Sequence, residues 1–130
     1  MFQLRAALGR GQAMIRGFDA HHRDKGDVTG KAAIEAVFEC EFREGCEIIF
    51  AYNERYGYEE QCVVIWRLPD GRVAMVEDSH CSCNGYEGGM SHAGYPTAKQ
   101  LGMADWGWID DKEARDYLLK FIGEWLRNSP

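Results

Sequence analysis

The strongest constraint in this chain is a β-hairpin between residues 61 and 78. Gln61–Leu68 (Gln-Cys-Val-Val-Ile-Trp-Arg-Leu) is rich in β-branched and aromatic residues and holds neither Gly nor Pro. Pro69-Asp70-Gly71 follows as a turn. Proline presets φ at the first central position, and glycine accepts positive φ after the aspartate. Arg72–Asp78 then alternates, with Val73, Met75 and Glu77 on one side and Ala74, Val76 and Asp78 on the other. Upstream, Cys46–Asn53 carries Ile48, Ile49, Phe50 and Tyr52, which adds a third antiparallel strand. Residues 55–58 form the connecting loop.

A sheet with an apolar face needs a cover. The C-terminal segment supplies one: Tyr117, Leu118, Phe121, Ile122, Trp125 and Leu126 recur at helical spacing as one stripe. Asp110 or Asp111 is the N-cap, and the acids of the first turn and Arg127 of the last suit the helix dipole. The expected fold is therefore α+β: a small antiparallel sheet of three to four strands in one layer, with the C-terminal amphipathic helix in the second. Pro96-Thr97 opens a short helix through Met103. Thr29 caps a helix with Ile34, Val37 and Phe38 on one face, giving way to an extended stretch at Glu39–Arg43. At the N-terminus, a helical segment over residues 12–23 places Met14, Ile15 and Phe18 on one face, although Gly17 weakens it by about 1 kcal/mol relative to Ala.

The 130 residues suit a single domain, residues 1–130, in which 1–28 are a basic, glycine-punctuated arm or short helix. The net charge of −6 argues against a basic nucleic-acid-binding surface as the overall signature. The charge is unevenly spread: residues 1–34 sum to +3, whereas 35–60 hold eight Glu against Arg43 and Arg55. No apolar stretch approaches the ~20 residues of a membrane helix. The first 15 residues lack the continuous apolar run of a signal peptide, so the expected location is cytoplasmic. Five cysteines preclude a disulfide framework that uses every one of them. In a reducing compartment they are expected to be free thiols or metal ligands, with Cys40, Cys46 and Cys62 as small buried hydrophobes.

The densest chemistry is Ser79-His80-Cys81-Ser82-Cys83-Asn84-Gly85, at the end of the third strand. Zinc takes thiolates and imidazoles tetrahedrally. Cys81 and Cys83 project to one face of an extended chain, His80 projects to the opposite face unless the chain bends, and His92 in the following loop or Cys62 in the neighbouring strand is the further donor a four-ligand site needs. The Cys-x-Cys spacing is not the Cys-x2-Cys knuckle, and no second pair follows. A nucleophilic Cys81 or Cys83 needs a base in reach, His80 or His92; His80, the adjacent residue of a strand, points away from Cys81, and nothing in the spacing constrains His92. The third alternative is a structural turn around Asn84-Gly85.

A hairpin with an Asp-Gly turn followed by His80, Cys81, Ser82, Cys83, Gly85 and Glu87 resembles a family of small bacteriophage and bacterial proteins with a His-Cys-Ser-Cys motif. The match spans Cys62 to Glu87, a fifth of the chain, and departs at Asn84 and Tyr86. The resemblance brings no defined activity. It implies a phage or prophage origin, and so a small accessory protein that binds host machinery.

Of the other features, His21-His22 diverge on a helix and read as a solvated polar end rather than as ligands. Trp106 and Trp108 divide between core and interface anchor. The acids Glu39, Glu41, Glu44 and Glu47 offer an acidic surface to a basic groove, and Tyr86 and Tyr95 in the glycine-rich loop offer exposed contacts. The expected function is thus non-enzymatic. The protein binds and inhibits a host protein or ribonucleoprotein complex, as an anti-CRISPR protein does. Two alternatives stand beside it: a zinc-binding or thiol-dependent protein centred on His80–Cys83, and a nucleic-acid-binding accessory protein using the basic arm.

Overall fold

The computed structural model describes residues 13–22, 26–81, 85–86 and 88–128. Its centre is a mixed four-stranded sheet in the order β1-β4-β5-β6. The strands are β1 (Met14–Arg16), β4 (Glu47–Tyr56), β5 (Glu59–Arg67) and β6 (Val73–Cys81). β4, β5 and β6 form the expected antiparallel meander, and β1 runs parallel to β4 with Met14 opposite Phe50. A separate hairpin pairs β2 (Asp19–His22) with β3 (Gly26–Thr29). The helices are α1 (Gly30–Phe38), α2 (Ala98–Met103) and α3 (Lys112–Arg127).

Residues 14–16 and 19–22 are therefore strands, broken at Gly17-Phe18, not the helix their apolar spacing suggests. Gly17 decides this. It adopts φ +78, and a side-chain carbon there would lie 2.1 Å from the Asn53 carbonyl oxygen. The backbone turns at a position only glycine tolerates, hard against β4, and Met14–Arg16 pair with a strand more than thirty residues away. The basic arm as far as residue 12 lies outside the described residues. Thr29 does precede a helix. It ends β3 in extended geometry and makes no side-chain capping bond. Residues 40–43 are irregular, not a strand. Glu39 closes α1 in the left-handed conformation, and Phe42 N donates to Glu35 Oε2 at 2.8 Å, which folds the chain back on the helix.

Both sheet faces are covered, so the layers number three, not two. One face carries Phe50, Tyr52, Val63, Ile65 and Val73 against Leu101, Leu118, Phe121 and Ile122 of α2 and α3. The opposite face carries Ala51, Cys62, Val64, Trp66, Ala74 and Val76 against Phe18, Ile34, Phe38 and Tyr86. Cys62 to Arg67 are consequently all buried, which accounts for the unbroken apolar run in β5. An irregularity between Ile48 and Phe50 inserts Ile49, so that Ile49 and Phe50 both join the α3 side.

α3 is fixed at its start. Asp111 accepts from Ala114 N at 3.1 Å, and Arg16 Nη1 reaches Asp111 Oδ2 at 2.8 Å. The Arg16 guanidinium also pairs with Glu113. α2 carries a full capping box between Thr97 and Gln100. Glu54 ties in the intervening loop, accepting from the Tyr52 hydroxyl and from Asp110 N. Among the described residues no helix is long and apolar enough to cross a membrane.

Candidate functional site

Two parts of the surface carry chemistry, at opposite ends of the strands. The first lies where β4 ends, β5 begins and β6 ends. Strand period places alternate residues on one face, and register does the rest. Arg55 sits opposite Glu60, Asn53 opposite Cys62, Cys62 opposite Asp78, and Glu60 opposite His80. Five polar side chains thus meet beyond the apolar face that α1 covers.

Tyr86 closes this group. Its ring stacks on Phe38 at 5.2 Å and meets the His80 ring edge-on at 4.3 Å. Its hydroxyl donates to Asn53 Oδ1 at 2.6 Å. The Asn53 amide in turn donates to Glu60 Oε2 at 3.2 Å and to the Gly17 carbonyl at 3.3 Å. Tyr86 is only 3% exposed, so it is a core residue and not the surface contact expected from its glycine-rich surroundings. Glycine frees the backbone to turn inward, and the aromatic ring gains more from burial than from exposure.

His80 has both ring nitrogens engaged. Nδ1 lies 2.7 Å from the Cys81 carbonyl oxygen and Nε2 lies 3.5 Å from Glu60 Oε2. Arg55 Nε approaches the other Glu60 oxygen at 2.7 Å. Cys62 lies beneath Tyr86, and burial pushes its thiol up to about 12, partly offset by the hydrogen bond with the Tyr86 hydroxyl. A thiol held so far above neutrality is a packed side chain, not a nucleophile. Burial, then the neighbouring Cys62, raises the Tyr86 phenol as well.

The expected metal ligands separate. His80 and Cys81 line a cleft of about 370 Å³ together with Tyr56, Glu59, Glu60, Gln61 and Ser79. His92 is exposed at the end of a short 3-10 turn and lines a neighbouring cleft with Gln61, Glu77, Asp78 and Ser79. Cys83 lies outside the described residues. Cys81 is disulfide-bonded, contrary to the expectation of a free thiol or ligand, whereas Cys40, Cys46 and Cys62 are free. A disulfide sulfur lacks the thiolate charge that zinc selects. Among the described residues no group of three His, Cys, Asp or Glu is arranged to hold a metal ion. The side chains of His21 and His22 also lie outside the description.

The second part is the opposite end of the meander, where the β5–β6 turn lies. Glu39, Glu41 and Glu44 are exposed along the irregular segment between α1 and β4. Glu47 differs from them: it is half-buried and faces the buried Arg67, Nη1 to Oε2 at 3.9 Å. A side-chain carbon at Gly45 would lie 3.1 Å from Pro69 Cγ, so the acidic segment rests on the Pro69-Asp70-Gly71 turn. Just beyond that turn, the Arg72 guanidinium lies over the Tyr95 ring at 4.6 Å. Tyr95 is 61% exposed. Of the two tryptophans, Trp106 is core and donates Nε1–H to the Leu101 carbonyl at 2.9 Å, while Trp108 is half-buried against Tyr52.

Comparison with known proteins finds no matching family model, no matching curated protein and no matching solved structure.

Proposed function

We propose that this protein is a binding protein that occupies a partner macromolecular complex, and that the contact is the end of the sheet bearing Glu39, Glu41, Glu44 and Tyr95. The observation that supports it is a juxtaposition. The acidic segment leans on Pro69, and Tyr95 is held by Arg72 three residues further on, so acids and aromatic share one end of the molecule. Exposed carboxylates around a tyrosine suit a basic partner surface: the charges steer the encounter and the ring supplies the anchor. A nucleic-acid-binding groove is such a surface. The most concrete version is a phage-encoded inhibitor of a host defence complex, which rests on the resemblance of residues 62–87.

The test compares wild type with a Glu39→Lys, Glu41→Lys, Glu44→Lys variant. Glu47 is left alone, because a lysine there would face Arg67. Both tagged proteins are passed through lysate of a host with active defence systems. The expected result is one stoichiometric partner on wild type, eluting earlier as salt rises and absent from the variant, with equal melting temperatures. A partner retained equally by both proteins overturns the assignment of this surface.

A further inference from the structure

While Leu118, Phe121 and Ile122 of α3 seal the sheet, Leu119, Gly123 and Leu126, at i, i+4 and i+7, share its outward side. Leu119 is 49% and Leu126 43% exposed. Met103, the last residue of α2, is 77% exposed. A side-chain carbon at the preceding Gly102 would lie 3.4 Å from Leu126 Cδ1, so Met103 borders the same surface. The other large apolar side chains exposed among the described residues are all tyrosines. Exposed aliphatic side chains grouped on one surface mark a contact, whereas scattered ones do not. Charge is ordered along this side of the helix. Asp116 lies about one turn before Leu119, and Arg127 follows Leu126 in the last turn. Asp116 is paired with Lys112 at 2.6 Å, an exposed contact that holds it weakly. The Arg127 guanidinium lies over Gly123, where a side-chain carbon would be 3.6 Å from Nη1.

We propose that this face is a self-association surface, on which a second copy of the chain docks its own α3 in the antiparallel sense. The order of charge selects both the partner and the direction. Parallel helices would set Asp116 against Asp116 and Arg127 against Arg127 of the other copy. Antiparallel helices set Asp116 against Arg127, and two-fold symmetry makes that contact twice. The spacing agrees. A two-fold axis level with Ile122 brings Asp116 and Arg127, and also Leu119 and Leu126, to within one residue of register, an offset of about 1.5 Å. Gly123 then sits beside the axis. Once Arg127 swings out to Asp116 of the other copy, no side chain at Gly123 keeps the two backbones apart. Met103 widens the apolar edge next to Leu126. The helix is 16 residues long, about 24 Å. One such pair falls short of the ~1,600 Å² of a standard interface, and two chains of net charge −6 repel. The dimer is therefore weak, with a dissociation constant of roughly 100 µM.

The test is analytical ultracentrifugation of the full chain from about 5 µM to about 1 mM, either side of the expected midpoint. Wild type is expected to pass from monomer to dimer across this range. Asp116→Arg and Arg127→Asp each bring like charges together and weaken the dimer by about tenfold or more. The double variant Asp116→Arg, Arg127→Asp restores opposite charges and returns to within about threefold of wild type. Leu119→Asp places a carboxylate in the apolar contact and leaves only monomer. These positions are exposed, so each variant is expected to melt cooperatively at about 5 µM, where wild type is monomeric. Wild type that stays monomeric at about 1 mM overturns the proposal. So does a dimer that Leu119→Asp leaves intact, which would place the contact elsewhere. A double variant no tighter than the two singles overturns the antiparallel register.

Discussion

The two faces of the sheet are closed in different ways. On one, α3 lies across the strands and seals them with side chains that are nearly all apolar: Leu118, Phe121 and Ile122 from the helix, Phe50, Val63 and Ile65 from the sheet, with Tyr117 stacked on Phe50. On the other, the apolar cover of Ile34 and Phe38 gives way to Asn53, Glu60, Cys62, Asp78 and His80, and the closure there is one inserted ring, Tyr86. The first face is held by area, which is non-directional and tolerant. The second is held by a few directional bonds, each costly to leave unmade. Stability therefore resides mainly with α3, and adjustability with the Tyr86 side.

Substitutions separate the two closures. Phe121→Ala removes a fully buried ring from the α3 face and is expected to cost about 3–5 kcal/mol in denaturant unfolding. A cost below that of Tyr86→Phe would invert the comparison. Gly17→Ala is expected to cost about 2 kcal/mol or more, because it combines a positive φ with a clash on the Asn53 carbonyl. Tyr86→Phe keeps the ring stacked on Phe38 but removes the donor to Asn53 Oδ1, for an expected cost of about 1–2 kcal/mol. Chemical denaturation of the pair measures what the directional closure adds beyond packing.

The smallest effect lies at the start of α3. Asp111→Ala is expected to cost about 1 kcal/mol through loss of the bond to Ala114 N. That bond, followed by Arg16 and opposed by burial, holds the Asp111 carboxyl below its ordinary value. A carboxyl lowered by folding contributes stability that is present above its unfolded value, near pH 4, and is lost as pH falls through the folded value. Wild type is thus expected to lose part of its margin over Asp111→Ala below about pH 4. A gap between the two melting curves that stays constant from neutral pH to pH 2.5 would contradict this.

How far this was legible in the sequence depended on the range of the forces involved. The β4–β5–β6 meander and α3 were legible because period, turn chemistry and capping are local: Pro69-Asp70-Gly71 and Asp111 state their roles within a few residues. β1 was not, because its strand character comes from pairing with residues 50–52, while Met14, Ile15 and Phe18 mimic a helical face. The third layer had a signal in the unbroken burial of Cys62 to Arg67, a run that suits a strand covered on both faces. Of the candidate sites, the exposure of Glu39, Glu41, Glu44 and Tyr95 followed from their polar, turn-rich surroundings. Tyr86 was misjudged for the same reason, since nothing local tells a ring in a glycine-rich segment that Phe38, Asn53 and His80 await it. The Asn53–Glu60–His80 group required the register, which only the folded sheet supplies.

Hydrogen exchange on Tyr86→Ala beside wild type tests the central claim most directly. If the two faces are closed independently, amides of α1 and of residues 85–92 exchange faster, while α3 and its contacts in β4 and β5 keep their protection. Equal loss of protection in α3 would contradict the account and make the molecule a single cooperative closure.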